Sequence, residues 1–188
     1  HSDPAKLATV RTAGDLQAWI ARARDQGYFA IGVETAGADP MQAELCGASL
    51  ALGDNDAIYI PLQHKKHGDG DGLFASGLAP DQLSAHDVLG ALKPLLESDS
   101  YLKIGHNLKL DALVLAQHGI AMRAIEDVML MSYVLDAGRR AHDIGSLSET
   151  WLGHQPPSRD SVTGTGKNRL AFDQIEIDKA TGYAAART

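Results

Sequence analysis

The chain has 188 residues, 44% of them hydrophobic and 22% charged, which suits one globular domain with a buried core. Because no apolar run approaches the roughly 18 to 20 residues of a membrane span and the start lacks a signal-peptide layout, we expect a cytoplasmic protein without a membrane partner. The formal net charge of −7 predicts weak nucleic-acid binding by the domain alone, since Lys and Arg contacts to phosphates supply most non-specific affinity. The same acidic balance would suit a protein that binds divalent cations.

The first part of the chain predicts one helix followed by three strands. Apolar residues recur at helical spacing in the first segment, whereas the next three segments are short apolar runs. The last two runs are joined by a Gly-Asp-Asn-Asp sequence typical of a hairpin turn, which favours a partly antiparallel sheet. The predicted elements are a helix over about 13–23 and strands over 28–33, 45–52 and 57–60.

Three further features of the sequence are weak candidates for binding sites, because each lacks the geometry, motif residues or partner that such a site requires. Residues 64–80 are rich in Gly and Asp and predict an exposed loop, whose HKKHGDGDG sequence has possible metal ligands without a fixed geometry. Residues 163–168 look like a phosphate-binding loop but lack its first glycine and its final Ser or Thr. Cys46, the one cysteine, has no disulfide partner and is predicted to be buried.

The remainder of the chain predicts helices that alternate with a short strand. The predicted elements are helices over 84–97, from 107 to about 119, from 127, around 144–151 and from 173 to 188, and a strand over 102–104. Ser84 with Asp87, and Asp173 with Glu176, have the spacing of helix capping boxes, and Pro94 should bend its helix or end it early. Together the elements predict an α/β domain with a mixed sheet.

Four side chains are candidates for chemistry. Glu34 follows the apolar strand, where a carboxylate is presented at a sheet edge. Asp111 interrupts the apolar segment 108–115, so it needs a cation, an arginine or a hydrogen-bond network, unless its side chain reaches solvent. Tyr183 and Arg187 lie four residues apart on the last predicted helix and share a face, either as part of a site or as ordinary helix surface.

Seven segments, in this order, resemble the proofreading 3′–5′ exonuclease domain of bacterial DNA polymerase I. They are FAIGVET (29–35), AIYIPL (57–62), LKPLLE (92–97), KIGHNLKLD (103–111), SLSETWL (146–152), GKNRLAFDQI (166–175) and GYAAA (182–186). The resemblance implies a ribonuclease H-like fold, in which a mixed β-sheet is flanked by helices, over a single domain of residues 1–188. It implies a polymerase domain after residue 188, Mg²⁺ or Mn²⁺ as cofactor, and a 3′ single-stranded DNA end as partner, contacted by Asn107 and Thr35.

The metal-binding motifs of that family are incomplete in this chain. The family's D-x-E reads G-V-E, so Glu34 remains and Gly32 replaces the first carboxylate, while Asp111 is intact within N-x-x-x-D. The family's Y-x-x-x-D begins with Tyr183 and ends with Arg187. A cation about 4 Å from a divalent ion is repelled by on the order of 8 kcal/mol at an effective dielectric near 20. We therefore expect weak or absent metal binding, with Arg187 paired to one or both of the remaining carboxylates.

Three functional interpretations follow from this pattern. The first is an exonuclease-like domain with lost or strongly reduced proofreading, which serves as a structural platform beside the polymerase domain. Under that first interpretation, we expect any residual hydrolysis to use one weak metal shared by Glu34 and Asp111, with Tyr183 orienting the water and Asn107 contacting the DNA strand. The second is an active, metal-dependent exonuclease in which neighbours supply the missing ligands. The third is a non-catalytic DNA-binding module, which the net charge of −7 disfavours.

Overall fold

The computed structural model describes residues 7–37, 39, 41–66, 77–138 and 141–188. The strands are β1 (Leu7–Thr9), β2 (Tyr28–Ala36), β3 (Glu44–Gly53), β4 (Asp56–Pro61), β5 (Leu102–Gly105) and β6 (Ile125–Asp127). The helices are α1 (Ala13–Gln26), α2 (Ala85–Leu96), α3 (Leu108–Gln117), α4 (Val128–Leu135), α5 (Ile144–Leu152), α6 (Arg159–Thr163) and α7 (Ile177–Ala184), with 3₁₀ turns at Gly166–Asn168 and Phe172–Gln174.

The six strands form one mixed sheet in the order β1-β4-β3-β2-β5-β6. The strand β2 lies inside the sheet, antiparallel to β3 and parallel to β5, and β3 continues antiparallel into β4. The outer strands β1 and β6 are both parallel to their neighbours. This arrangement confirms the predicted mixed sheet flanked by helices and the predicted hairpin.

Alternation along β2 separates the two faces of the sheet. Phe29 and Ile31 point into the main core, where the Phe29 ring meets the edge of Trp19 from α1. Gly32 and Glu34 belong to the opposite face, on which α7 packs across β1, β3 and β4. Within the described part of the chain, no helix combines the length and apolar character that crossing a bilayer requires.

Both predicted capping boxes are wrong. The last helix begins at Ile177, because Asp173 lies in a 3₁₀ turn with its side chain buried and ion-paired to Lys65 instead of capping a helix. The Ser84 side chain makes no capping hydrogen bond to α2. That helix also continues through Pro94 for two residues, so the proline does not end it early.

The prediction of an exposed loop over 64–80 is wrong at its first residue. His64 is fully buried, and its two ring nitrogens meet the Tyr59 hydroxyl at 2.8 Å and the Ile175 carbonyl oxygen at 2.9 Å. The histidine therefore belongs to a core that joins β4 to the chain before α7. Residues 67–76, which include the HGDGDG part of that sequence, lie outside the described residues. Cys46 is buried, as predicted.

Candidate functional site

A cavity of about 290 Å³ lies against the middle of β2, on the face that carries α7. Five of the residues singled out in the sequence line it together: Gly32, Glu34, Asp111, Tyr183 and Arg187. The structure thus brings together side chains that are up to 155 positions apart in the sequence. Among the lining residues that the sequence did not single out are Ser49, Arg159 and Thr188.

Glu34 lies within β2, which corrects its predicted place after the end of the strand. The strand continues to Ala36, and its register with β3 shifts directly after Glu34. The Glu34 side chain is only 13% exposed, and Arg159 Nη1 donates a hydrogen bond to its Oε2 at 2.8 Å. Burial raises the pKa of the Glu34 carboxyl, and the charge of Arg159, followed by that of Arg187, acts to lower it. The carboxylate therefore already has a cation as its partner.

Arg159 is held in place on several sides. It is the first residue of α6, whose start is fixed by Ser158, since the serine hydroxyl accepts a hydrogen bond from the Ser161 N–H. Its Nη2 donates to the Thr35 carbonyl oxygen at 3.0 Å, and its guanidinium lies 4.9 Å from the Phe172 ring centroid. Because α6 has only five residues, its start gives no readable periodicity, and the sequence carried no signal for the role of Arg159.

Arg187 does not make the carboxylate pair that the sequence suggested. It lies beyond the end of α7, and its guanidinium is 5.2 Å from the Tyr183 ring centroid. Its Nη1 donates a hydrogen bond to the Pro157 carbonyl oxygen at 2.9 Å. The guanidinium still contributes positive charge beside Glu34, but the direct ion pair with that carboxylate belongs to Arg159.

Asp111 faces the cavity from the first turn of α3. Burial is the main cause that raises the pKa of its carboxyl to about 7, and the charges of Glu34 and Asp127 act in the same direction. A hydrogen bond from the Val33 backbone acts in the opposite direction. At neutral pH, without a cation beside it, this carboxyl is therefore divided between its protonated and ionised forms.

The turn before α3 is fixed by a second carboxylate. The two oxygens of Asp127 accept hydrogen bonds from the backbone N–H groups of Asn107 and Leu108, each at 2.9 Å. Asn107 itself has a left-handed backbone with a φ of 59°. Gly105 is required at this turn, since a Cβ there would lie 2.8 Å from the Ile31 carbonyl oxygen. Contacts of Asn107 and Thr35 with DNA stay predictions.

The space beside Gly32 is taken by two hydroxyl groups. Gly32 is paired with Ser49 across β2 and β3, and a Cβ at residue 32 would lie 3.1 Å from Ser49 Oγ and 3.6 Å from Thr188 Oγ1. The hydroxyls of Ser49 and Thr188 are hydrogen-bonded to each other, and Ser49 Oγ also lies 3.3 Å from the Gly32 carbonyl oxygen. The position of the missing carboxylate is thus partly filled by neighbouring side chains.

Tyr183 is buried against the ring of Phe172, with centroids 5.7 Å apart. Burial raises the pKa of its hydroxyl, as does the charge of Glu34, whereas the two arginines of the cavity lower it. The phenol therefore stays protonated at neutral pH and can donate a hydrogen bond into the cavity.

These residues do not fit a pair of divalent cations. A two-metal site needs several carboxylates, one of which bridges the ions. Here Glu34 is bonded to a guanidinium, and residue 32 is a glycine that offers no ligand. Among the residues that the structure describes, no three His, Cys, Asp or Glu side chains come together in a group that could hold a metal ion.

Sequence relatives of this chain are bacterial DNA polymerases. A family model described as 3′–5′ exonuclease matches residues 7–186. DNA polymerase I of Rhizobium leguminosarum is 47% identical over 97% of the chain, and DNA polymerase I of Pseudomonas aeruginosa is 39% identical over 89%. The matched regions are 19% and 18% of those two proteins, so the chain spans about a fifth of their length.

Several solved structures have a similar fold. The Aedes aegypti Nibbler EXO domain superposes with a TM-score of 0.66 at 14% identity, covering 97% of this chain and 82% of that one. Brucella melitensis NrnC gives a TM-score of 0.61 at 21% identity, covering 86% and 67%. Pol1 from M. smegmatis gives 0.62 at 19% identity, covering 95% and 25%. At these identities the likeness shows the fold alone.

Proposed function

Since this chain belongs to the family of 3′–5′ exonuclease domains of DNA polymerase I, we propose that it is one domain of such a polymerase and that its proofreading activity is lost or strongly reduced. The observation that carries the proposal is the ion pair between Arg159 and Glu34. The Arg159 guanidinium lies against Glu34, which is the one carboxylate of the family's D-x-E motif that this chain retains. Residue 32, the other position of that motif, is a glycine.

The charges of the cavity favour this interpretation. A divalent ion placed about 4 Å from a guanidinium is repelled by on the order of 8 kcal/mol at an effective dielectric near 20. A metal bound at Glu34 would have to displace Arg159 and would also meet the positive charge of Arg187. The arginine already compensates the buried carboxylate, so little free energy remains for a metal to gain there.

The retained role that we propose is structural. The pair between Glu34 and Arg159 links residues 125 positions apart and ties the central strand to α6. In place of metals, it holds the two sides of the cavity together. The domain would then act as a platform beside the polymerase domain of the same cytoplasmic polypeptide, with at most weak affinity for a single-stranded DNA 3′ end.

A second candidate is an active exonuclease, and one observation favours it. Glu34, Asp111 and Tyr183 all line one cavity, which is where the resemblance would require them for hydrolysis. Arg159 would have to leave Glu34 when substrate and metal arrive.

An exonuclease assay separates the two candidates. A 5′-labelled single-stranded oligonucleotide is incubated with the purified protein in Mg²⁺ or Mn²⁺, and Asp111→Ala serves as the matched control. We expect no shortening above the level of the Asp111→Ala variant. Metal-dependent shortening that the substitution abolishes would refute the loss of activity. Binding of the same oligonucleotide without cleavage, weakening steeply with salt, would support the third interpretation, a DNA-binding module.

A further inference from the structure

Two arginines line the cavity on β2, and their partners differ. Arg159 donates hydrogen bonds to the Glu34 carboxylate and to the Thr35 carbonyl oxygen, so its charge is compensated by direct contact. Arg187 has a neutral partner instead, because its Nη1 donates to the Pro157 carbonyl oxygen at 2.9 Å. Across the described ranges this is the one hydrogen bond of the Arg187 side chain, which forms no ion pair there. The cavity therefore contains a guanidinium without a paired anion.

Two contacts fix the position of the Arg187 guanidinium. One of its nitrogens is bonded to the Pro157 carbonyl oxygen, and the Tyr183 ring centroid lies 5.2 Å from its central carbon. A guanidinium carries five N–H donors in a rigid fork, so four of them stay available to a ligand. The residue is only partly buried, which leaves these donors open to solvent. Because the group is already ordered, binding a ligand removes little conformational entropy from it.

The hydroxyl of Tyr183 adds a donor beside this guanidinium. Both side chains line the same cavity, and they are in contact with each other. A guanidinium fork binds two oxygens of an anion, and a phenol can donate to a third. A planar carboxylate offers only two oxygens, whereas a tetrahedral oxyanion such as phosphate offers more. The arrangement therefore favours a phosphate group over a carboxylate.

We propose that the cavity binds a phosphate group directly, on Arg187 and Tyr183, without a metal ion, an inference that rests on the loss of metal binding proposed above. Arginine is the side chain best matched to phosphate oxygens in charge and geometry. The volume of about 290 Å³ lies at the lower limit of the roughly 300 to 1,000 Å³ of small-molecule pockets. This size suits inorganic phosphate or a small phosphomonoester.

Equilibrium dialysis with labelled inorganic phosphate in EDTA tests the proposal on the full polypeptide. Arg187→Met removes the cation that would bind phosphate, and Arg169→Met, which removes a half-exposed cation paired with Asp160, is the matched control. We expect one saturable site whose dissociation constant rises by at least about tenfold in Arg187→Met and by less than about twofold in Arg169→Met. The absence of such a site in EDTA, or equal effects of the two substitutions, would overturn the proposal.

Asp111→Asn separates direct binding from binding through a metal. Asp111 lines the cavity, and its negative charge repels phosphate, so we expect the substitution to tighten direct binding by about threefold or more. A phosphate held by a metal would respond in the opposite direction, because the metal would lose a ligand. Weaker binding by Asp111→Asn, or binding that needs Mg²⁺ and disappears in EDTA, would contradict the proposal.

Modification by phenylglyoxal, which reacts with accessible guanidinium groups, reports on Arg187 itself. At ten times its dissociation constant, phosphate should slow the modification of Arg187 by about tenfold and leave that of Arg169 unchanged, as measured on separate peptides by mass spectrometry. Equal slowing at both arginines would exclude a site at Arg187. Protection by ribose 5-phosphate or by a nucleoside 5′-monophosphate would identify a phosphomonoester as the ligand, and protection by neither would identify inorganic phosphate.

The outcomes distinguish this proposal from the proposed loss of activity. Metal-dependent shortening of the oligonucleotide that requires Asp111 would refute the loss of activity. A protein that shortens no oligonucleotide and binds no phosphate in EDTA would refute the phosphate site alone.

Discussion

Replacing Arg159 by methionine tests the central contact of the cavity. The substitution keeps much of the side-chain volume but leaves Glu34, which is 13% exposed, without its cation. Removing one partner of a buried ion pair costs about 3 to 5 kcal/mol. Because Arg159 is 38% exposed and solvent screens part of its charge, we expect a loss of about 2 kcal/mol in the free energy of unfolding at pH 8.

The same substitution at Arg169 is the matched control. Arg169 pairs with Asp160 at 2.9 Å, but both side chains are about half exposed. Urea unfolding should therefore show a cost below about 1 kcal/mol for Arg169→Met. Adding Glu34→Gln to Arg159→Met should recover part of the loss, because the unpaired charge is then gone. Equal costs for the two arginine substitutions would refute the assignment of Arg159 as the partner that compensates Glu34.

Metal binding gives the second readout of this perturbation. Without the guanidinium, Glu34 and Asp111 become free to share one cation. Mn²⁺ at ten times its dissociation constant would raise the free energy of unfolding of Arg159→Met by about 1.4 kcal/mol. We expect no such increase in the unsubstituted protein or in Arg159→Met with Asp111→Ala. The reasoning fails if Mn²⁺ stabilises the unsubstituted protein in a manner that depends on Asp111.

Three other substitutions test neighbouring contacts. Asp111→Asn should be as stable as the unsubstituted protein near pH 4 and more stable at pH 8 by up to about 4 kcal/mol in EDTA. The reason is that a pKa raised from 3.8 to about 7 lowers the stability of the unsubstituted protein as pH rises through that interval. An unchanged pH dependence of urea unfolding would contradict this. Gly32→Asp should lower the free energy of unfolding by about 1 to 3 kcal/mol, because its Cβ would lie 3.1 Å from Ser49 Oγ, and Ser49→Ala should relieve part of that loss. An equal loss with Ser49 and with Ala at residue 49 would exclude the crowding. Tyr59→Phe should cost about 1 to 3 kcal/mol in thermal or urea unfolding by leaving His64 Nε2 unpaired, whereas a neutral result would show that water replaces the hydroxyl.

The sequence predicts most of the sheet and helices because their signals are local. The apolar runs that became β2, β3 and β4 and the turn between the last two are visible without any tertiary information. The elements that sequence analysis missed are short, namely β1, β6 and α6, since three to five residues carry no readable periodicity. Errors at helix starts have a different cause, because Asp173 has the spacing of a cap but is buried in an ion pair with Lys65.

For the functional site, the order and spacing of motifs in the sequence identify the family and predict which residues share the cavity. The same motifs reveal Gly32 and Arg187 as departures from the carboxylates of the family. The sequence cannot decide which cation compensates Glu34, since this depends on where two chain segments 125 residues apart meet. The tertiary structure gives that role to Arg159, because the start of α6 aims its guanidinium at β2, whereas the turn after α7 directs Arg187 to a backbone carbonyl.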